Sequence, residues 1–163
     1  MKRYIFLLLF VCVFLAGCEK PAGQIPPASD SKQTQETTKA DGYAGGLLAG
    51  KSSPYLIFNK ADYDKAIVEG KIVFLDFYAN WCPICRAEAP EIKAGFDGLN
   101  RSDVVGFRVN YNDPDTDDDE KALAAQFSIP YQHTKVILKN GKEVYRSSDQ
   151  WTADDFSKTL GAY

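Results

Sequence analysis

What the chain holds least of sets the first limits. Its 163 residues include one histidine, one methionine and four cysteines. Basic residues are not in excess: 19 Lys and Arg stand against 22 Asp and Glu, a net charge of −3. A nucleic-acid-binding surface needs a basic stripe, so no nucleic-acid partner is expected. Long apolar runs are scarce too. The longest, YIFLLLFVCVFL after Lys2 and Arg3, is about a dozen residues and too short to span a bilayer comfortably. What remains has the apolar and aromatic content of a globular protein, and the length suffices for one domain with a real core.

The N-terminal run has the layout of an export signal, with a charged start, an apolar stretch and then the small residues Ala16 and Gly17. Leu15-Ala16-Gly17-Cys18 resembles the bacterial lipobox, in which the cysteine thiol is lipidated and becomes the new N-terminus. The resemblance implies a lipoprotein signal peptide over residues 1–17. It also implies that lipidated Cys18 anchors the chain to the outer side of a bacterial membrane, more than one acyl chain making the attachment stable. Residues 18–45 are rich in Pro, Ser, Thr, Gln and charge. Such a segment cannot bury enough surface to offset its ordering entropy and reads as a flexible tether. Residues 46–163 are left as the folded domain.

Two motif matches are set aside. Residues 45–52, GGLLAGKS, spell a phosphate-binding loop. That mechanism needs a strand before the loop and a helix after it, and the sequence offers neither. Residues 113–120, DPDTDDDE, lack the mid-loop glycine and the twelfth-position glutamate of a calcium loop. They read as a turn that delivers acidic residues to a helix N-terminus.

The domain alternates strand and helix signals. Residues 55–58 read as a strand, and 61–69 as a helix stopped by Gly70. Residues 72–78 are apolar nearly throughout, as a central buried strand requires. A helix over 83–98 contains Pro90, and a strand at 104–111 precedes a helix at 117–127. Strands at 135–138 and 143–146 flank Lys-Asn-Gly-Lys, a strong hairpin signal. A last helix over 152–160 has Thr152 as N-cap and Asp155 at N3. The order implies an α/β fold: a central mixed sheet, parallel strands plus a terminal antiparallel hairpin, with helices on both faces.

Cys12 leaves with the signal peptide and Cys18 carries lipid. Cys82 and Cys85 are the pair left in a compartment where disulfides persist. Cys82 falls at a strand-to-helix junction. A thiolate there meets unpaired backbone N–H groups and the positive end of the helix dipole, and the thiolate is the attacking species. Cys85 lies one turn further in and can resolve a mixed disulfide from within. Pro83 suits the first turn, where its missing N–H is no loss. A static structural disulfide is the lesser reading, because so short a loop gains little from closure.

The stretch DFYANWCPIC, residues 76–85, followed by Pro90, resembles a thioredoxin active site. The continuation CRAEAP is similar to membrane-anchored TlpA/ResA-type members, and the later Lys-Asn-Gly hairpin matches as well. The resemblance covers roughly residues 55–163 and implies a thioredoxin-like fold. It makes Cys82 the nucleophile and Cys85 the resolving thiol, the two forming the redox disulfide. Asp76 becomes a buried carboxylate that moves protons to and from Cys85, as its place in an apolar strand also suggests. Trp81, Pro83, His133 and Thr134 become the substrate groove.

At one position the chain departs from the pattern. Counting back from Lys139-Asn140-Gly141, the place of the family's cis-proline holds His133, the lone histidine, and Pro130 lies three residues early. Either the loop shifts so that Pro130 takes the role, or His133 replaces it. An imidazole facing two thiols also allows a different function, a metal-binding or metallochaperone module built on Cys82, Cys85 and His133. The leading expectation is an extracytoplasmic, lipid-anchored thiol–disulfide oxidoreductase that reduces protein disulfides. It is recharged by a membrane thiol electron donor and needs no metal or other cofactor.

Overall fold

The computed structural model describes residue 40 and residues 42–163. The expected signal peptide, Cys18 and most of the tether lie outside the described residues. The elements are β1 (Leu47–Ala49), β2 (Tyr55–Ile57), α1 (Lys60–Val68), β3 (Ile72–Tyr78), α2 (Pro83–Gly98), β4 (Val104–Asn110), α3 (Asp118–Gln126), β5 (Thr134–Lys139), β6 (Lys142–Ser147) and α4 (Ala153–Leu160). Every element expected from the sequence is present, with ends moved by a residue or two. The strand β1 is additional.

The six strands form one sheet in the order β1-β2-β4-β3-β5-β6. The pairs β2–β4 and β3–β4 are parallel, and β1, β5 and β6 run antiparallel to their neighbours. Alternation along β3 sorts its side chains. Val73, Leu75 and Phe77 pack on one face with Tyr63 and Ala66 of α1 and Leu123 and Ala124 of α3. Ile72 and Phe74 pack on the other with Ile92 and Phe96 of α2 and Phe156 and Leu160 of α4. Asp76 follows Phe74 on that second face, so a carboxylate lies in the layer beneath α2.

The loop-like spelling at 45–52 is a strand and a turn. The Ala44 and Gly45 N–H groups donate to the buried Asp62 carboxylate, and Gly50 N–H donates to Asp97 Oδ1 at 2.8 Å. No helix follows, so the stretch lacks the N-terminus that would cradle a phosphate. The acidic run is spent on capping. Asp117 caps α3 and forms a reciprocal box with Glu120, and Asp113 accepts from the Asn80 and Asp115 N–H groups.

Gly106 on β4 is where the second layer is tightest. A Cβ there would strike the ring of Phe96, which is fully buried and stacks on Tyr55 with centroids 4.7 Å apart. Gly106→Ala should therefore overpack this layer and cost about 1–3 kcal/mol. Urea unfolding of the variant should show a lower midpoint at unchanged slope, and an unchanged midpoint would show that Phe96 has room to move.

Candidate functional site

The pair sits where β3 hands over to α2. Cys82 is the N-cap of α2, with extended backbone, and its Sγ accepts the Cys85 N–H at 3.2 Å. Pro83 occupies the first helical turn, as its fixed φ and absent N–H favour. Cys82 and Cys85 are free thiols, both buried, packed with Ala79 and against Tyr78. The Cys85 thiol is pushed up to about 12, chiefly by burial, with the neighbouring Cys82 and the Asp76 charge adding to it.

Asp76 lies in the layer below. Its carboxylate is buried and accepts the Tyr55 hydroxyl at 2.6 Å. Burial raises the carboxyl above its ordinary range; the Tyr55 hydrogen bond and the Lys135 and Arg108 charges oppose the rise without cancelling it. Arg108 stands opposite Asp76 on β4 and lies over the Tyr78 ring, 5.0 Å from its centroid.

A second buried carboxylate sits one turn beyond Cys85. Glu88 accepts the fully buried Lys135 ammonium at 2.9 and 3.1 Å and also the Trp151 N–H. Nδ1 of His133 stands 3.1 Å from Glu88 Oε2, close enough for an ion pair but off the angle of a good hydrogen bond. Burial alone would push the Glu88 carboxyl up. The contacts from His133 and Lys135 outweigh it and hold the carboxyl below its ordinary range.

His133 does take the place immediately before β5. Its N–H donates to the Phe77 carbonyl at 2.6 Å, its backbone is left-handed at φ +68°, and it is buried. Pro130 stays exposed three residues earlier, and the described residues hold no cis peptide bond. The shifted-loop alternative is therefore not what the chain adopts. Thr134 is fully buried, and its hydroxyl donates to the Tyr131 carbonyl at 2.9 Å. It braces the loop and presents no side chain to an open groove, which corrects its assignment as a groove residue. Among the described residues no group of three or more His, Cys, Asp or Glu side chains is placed to hold a metal ion. The imidazole is turned to Glu88, so the metallochaperone reading lacks the geometry it needs.

Trp81 and Ile84, on either side of Cys82-Pro83, and Tyr131, on the loop before β5, are each about half exposed, at 50, 51 and 50%. Trp81 and Ile84 leave large apolar side chains in water directly beside Cys82. Trp81 is fixed there by its indole N–H, which donates to the Asn112 carbonyl at 3.0 Å.

The sequence reading missed Glu88, Lys135, Tyr55 and Arg108. Signals existed for two of them. Glu88 falls on the buried stripe of α2 that runs through Cys85, Ile92 and Phe96. Lys135 alternates in phase with Ile137, and so faces the same layer. The partners of Tyr55 and Arg108 come from register between strands distant in sequence, which no local pattern reports.

The thioredoxin family model matches residues 54–162. Thioredoxin from Haemophilus influenzae is 33% identical over 96 residues, covering 56% of this chain and 80% of the relative. Protein disulfide-isomerase A4 from Bos taurus is 33% identical over 91 residues, covering 55% of this chain and 13% of the relative. The chain spans a fifth or less of the length of such isomerase relatives. Among solved structures, Trxlp from Edwardsiella tarda superposes with a TM-score of 0.54 at 30% identity, covering 64% of this chain and 95% of that one. Sheet order, the cysteine pair at the head of α2 and a family match over 54–162 agree: the chain belongs to the thioredoxin family.

Proposed function

We propose that the protein is a lipid-anchored, extracytoplasmic thiol–disulfide oxidoreductase that reduces protein disulfides, of the TlpA/ResA type. The observation that carries the redox reading is the Cys82–Cys85 pair: two free thiols at the first turn of α2, the inner N–H already donated to the outer sulfur. The thioredoxin and protein disulfide-isomerase relatives support it. The reducing direction follows the thioredoxin-like surroundings of the pair, Asp76 above all.

The exchange runs in two displacements. The Cys82 thiolate attacks one sulfur of a substrate disulfide. A Cys82–substrate bond forms, the substrate S–S bond breaks, and the displaced sulfur leaves as a thiolate that takes up a proton. Cys85 then loses its proton, with Asp76 as the acceptor beneath it, and attacks Cys82 Sγ. The mixed disulfide breaks, the Cys82–Cys85 disulfide forms, and the second substrate sulfur leaves and is protonated. Two electrons pass from the dithiol to the substrate. A membrane thiol donor returns them by the same chemistry in reverse. Trp81, Ile84 and Tyr131 form the apolar rim on which the substrate polypeptide docks. Pro83 keeps the approach to Cys82 free of a competing backbone donor.

The test of the redox reading is disulfide reduction by the full chain in detergent, with a small-molecule thiol as electron source. Cys82→Ser should abolish turnover, and Cys85→Ser should accumulate a mixed disulfide that mass spectrometry detects. Full turnover by Cys82→Ser would rule the reading out. The anchoring is tested apart from the chemistry, by expressing the chain in a bacterium and fractionating the cells. The parent should be found with membranes, carrying the added mass of acyl chains. Cys18→Ala should lose that mass, and a Cys18→Ala protein still holding it would contradict lipidation at this residue.

A further inference from the structure

The redox chemistry uses Cys82, Cys85 and Asp76, and it leaves His133, Glu88 and Lys135 without a task. Their geometry is costly. A residue with a Cβ disfavours the left-handed region that His133 occupies. Nε2 of its ring is buried with no hydrogen-bond partner, a group that stability alone would remove. Lys135 is a fully buried cation inside an apolar strand.

Charge neutralisation does not explain the imidazole. Lys135 already meets both oxygens of Glu88, and the Trp151 N–H takes one of them as well. What His133 adds is a connection. Its backbone is tied to Phe77 at the end of β3, its ring lies against Glu88 on α2, and the next residue, Thr134, holds the Tyr131 carbonyl. The short loop of Tyr131, Gln132 and His133 is thereby fastened to the helix that carries both cysteines. Tyr131, half exposed, is the loop's contribution to the proposed apolar rim.

We propose that Glu88, His133 and Lys135 form a buried latch that holds the 131–133 loop against α2, with His133 as the positioning residue for capture of protein disulfides. The inference rests on the redox reading of Cys82 and Cys85 and adds which residues set the substrate-facing shape. Lys135 fixes the Glu88 carboxylate from β5, Glu88 fixes the imidazole from α2, and the imidazole fixes the loop. Asp76 from β3, Arg108 from β4 and Tyr55 from β2 are the other charged and titratable groups of the same layer.

A substrate that grips the rim depends on the loop; a small disulfide that only touches Cys82 depends on it far less. The full chain in detergent is assayed for kcat/KM on insulin and on a small aromatic disulfide, as the parent and as His133→Ala, His133→Asn and Glu88→Gln. Loss of one buried, charge-assisted contact should lower the insulin-to-small-disulfide ratio about tenfold in each variant, mainly through KM for insulin. Asparagine adopts the left-handed backbone readily but is shorter than imidazole. His133→Asn therefore separates loop shape from the ring's contact, and it still decides the matter should His133→Ala fail to fold. An unchanged ratio, or a ratio restored by His133→Asn, would overturn the latch while leaving the redox reading intact. Absence of Cys82-dependent turnover in the parent would overturn the redox reading, and the latch with it.

Discussion

The site turns on a thiol that resists ionisation. Burial, the neighbouring Cys82 and the Asp76 charge together push the Cys85 thiol up to about 12. At neutral pH such a sulfur is protonated and does not attack, so the second displacement cannot proceed until something takes its proton. In the proposed exchange that acceptor is Asp76, in the layer beneath α2. Asp76 sits on β3, an inner strand paired on both sides by β4 and β5, so its carboxylate is dry, and dryness raises its affinity for a proton. Two buried groups that each disfavour charge exchange a proton more readily than a buried and an exposed one. The same desolvation that keeps Cys85 protonated is what would make Asp76 a usable base in the proposed exchange.

That arrangement constrains much of the second layer. An ionised Asp76 needs partners, and Tyr55 and Arg108 arrive on β2 and β4 to supply a hydroxyl and a cation. Tyr55 is aimed by stacking on Phe96, which in turn requires glycine at 106. The helix bearing the cysteines is held by Glu88 to Lys135 on β5 and to the backbone at Trp151, ahead of α4. Removing one partner of such a buried pair leaves an unpaired charge, which costs more than the intact pair contributes. The polar groups under α2 thus act as one connected set, and the aromatic core of this layer is arranged around them.

Much of this was legible in the sequence. The unbroken apolar run at 72–78, the Asn-Gly hairpin and the Thr152 cap are local signals, and each corresponds to an element with nearly the expected ends. The cysteine pair and Asp76 were legible because each breaks a pattern, two thiols at a helix start and one charge in an apolar strand. Strand β1 was not, since three residues between glycines carry no alternation and their pairing is irregular. The relation of His133 to Glu88 was hidden for a different reason. The hairpin count located His133 before β5, but the direction of its ring depends on a helix residue 45 positions earlier. Only the assembled sheet brings the two together. Thr134 was placed in the groove by the family resemblance alone, whereas the first five residues of β5 are all buried and its hydroxyl is turned to the Tyr131 carbonyl.

The most direct measurement is the rate of the second displacement. A Cys82–substrate mixed disulfide is formed in the full chain and its resolution by Cys85 is followed in a single turnover across pH, in the parent and in Asp76→Asn. Only ionised Asp76 accepts a proton, and its carboxyl lies above the ordinary carboxylate range, so the parent's rate should rise with pH through that raised range. Asp76→Asn should lose that rise and run about 100-fold slower at neutral pH. An equal rate and an unaltered pH profile in Asp76→Asn would contradict the assignment of Asp76 as the acceptor and with it the central role of the buried carboxylate.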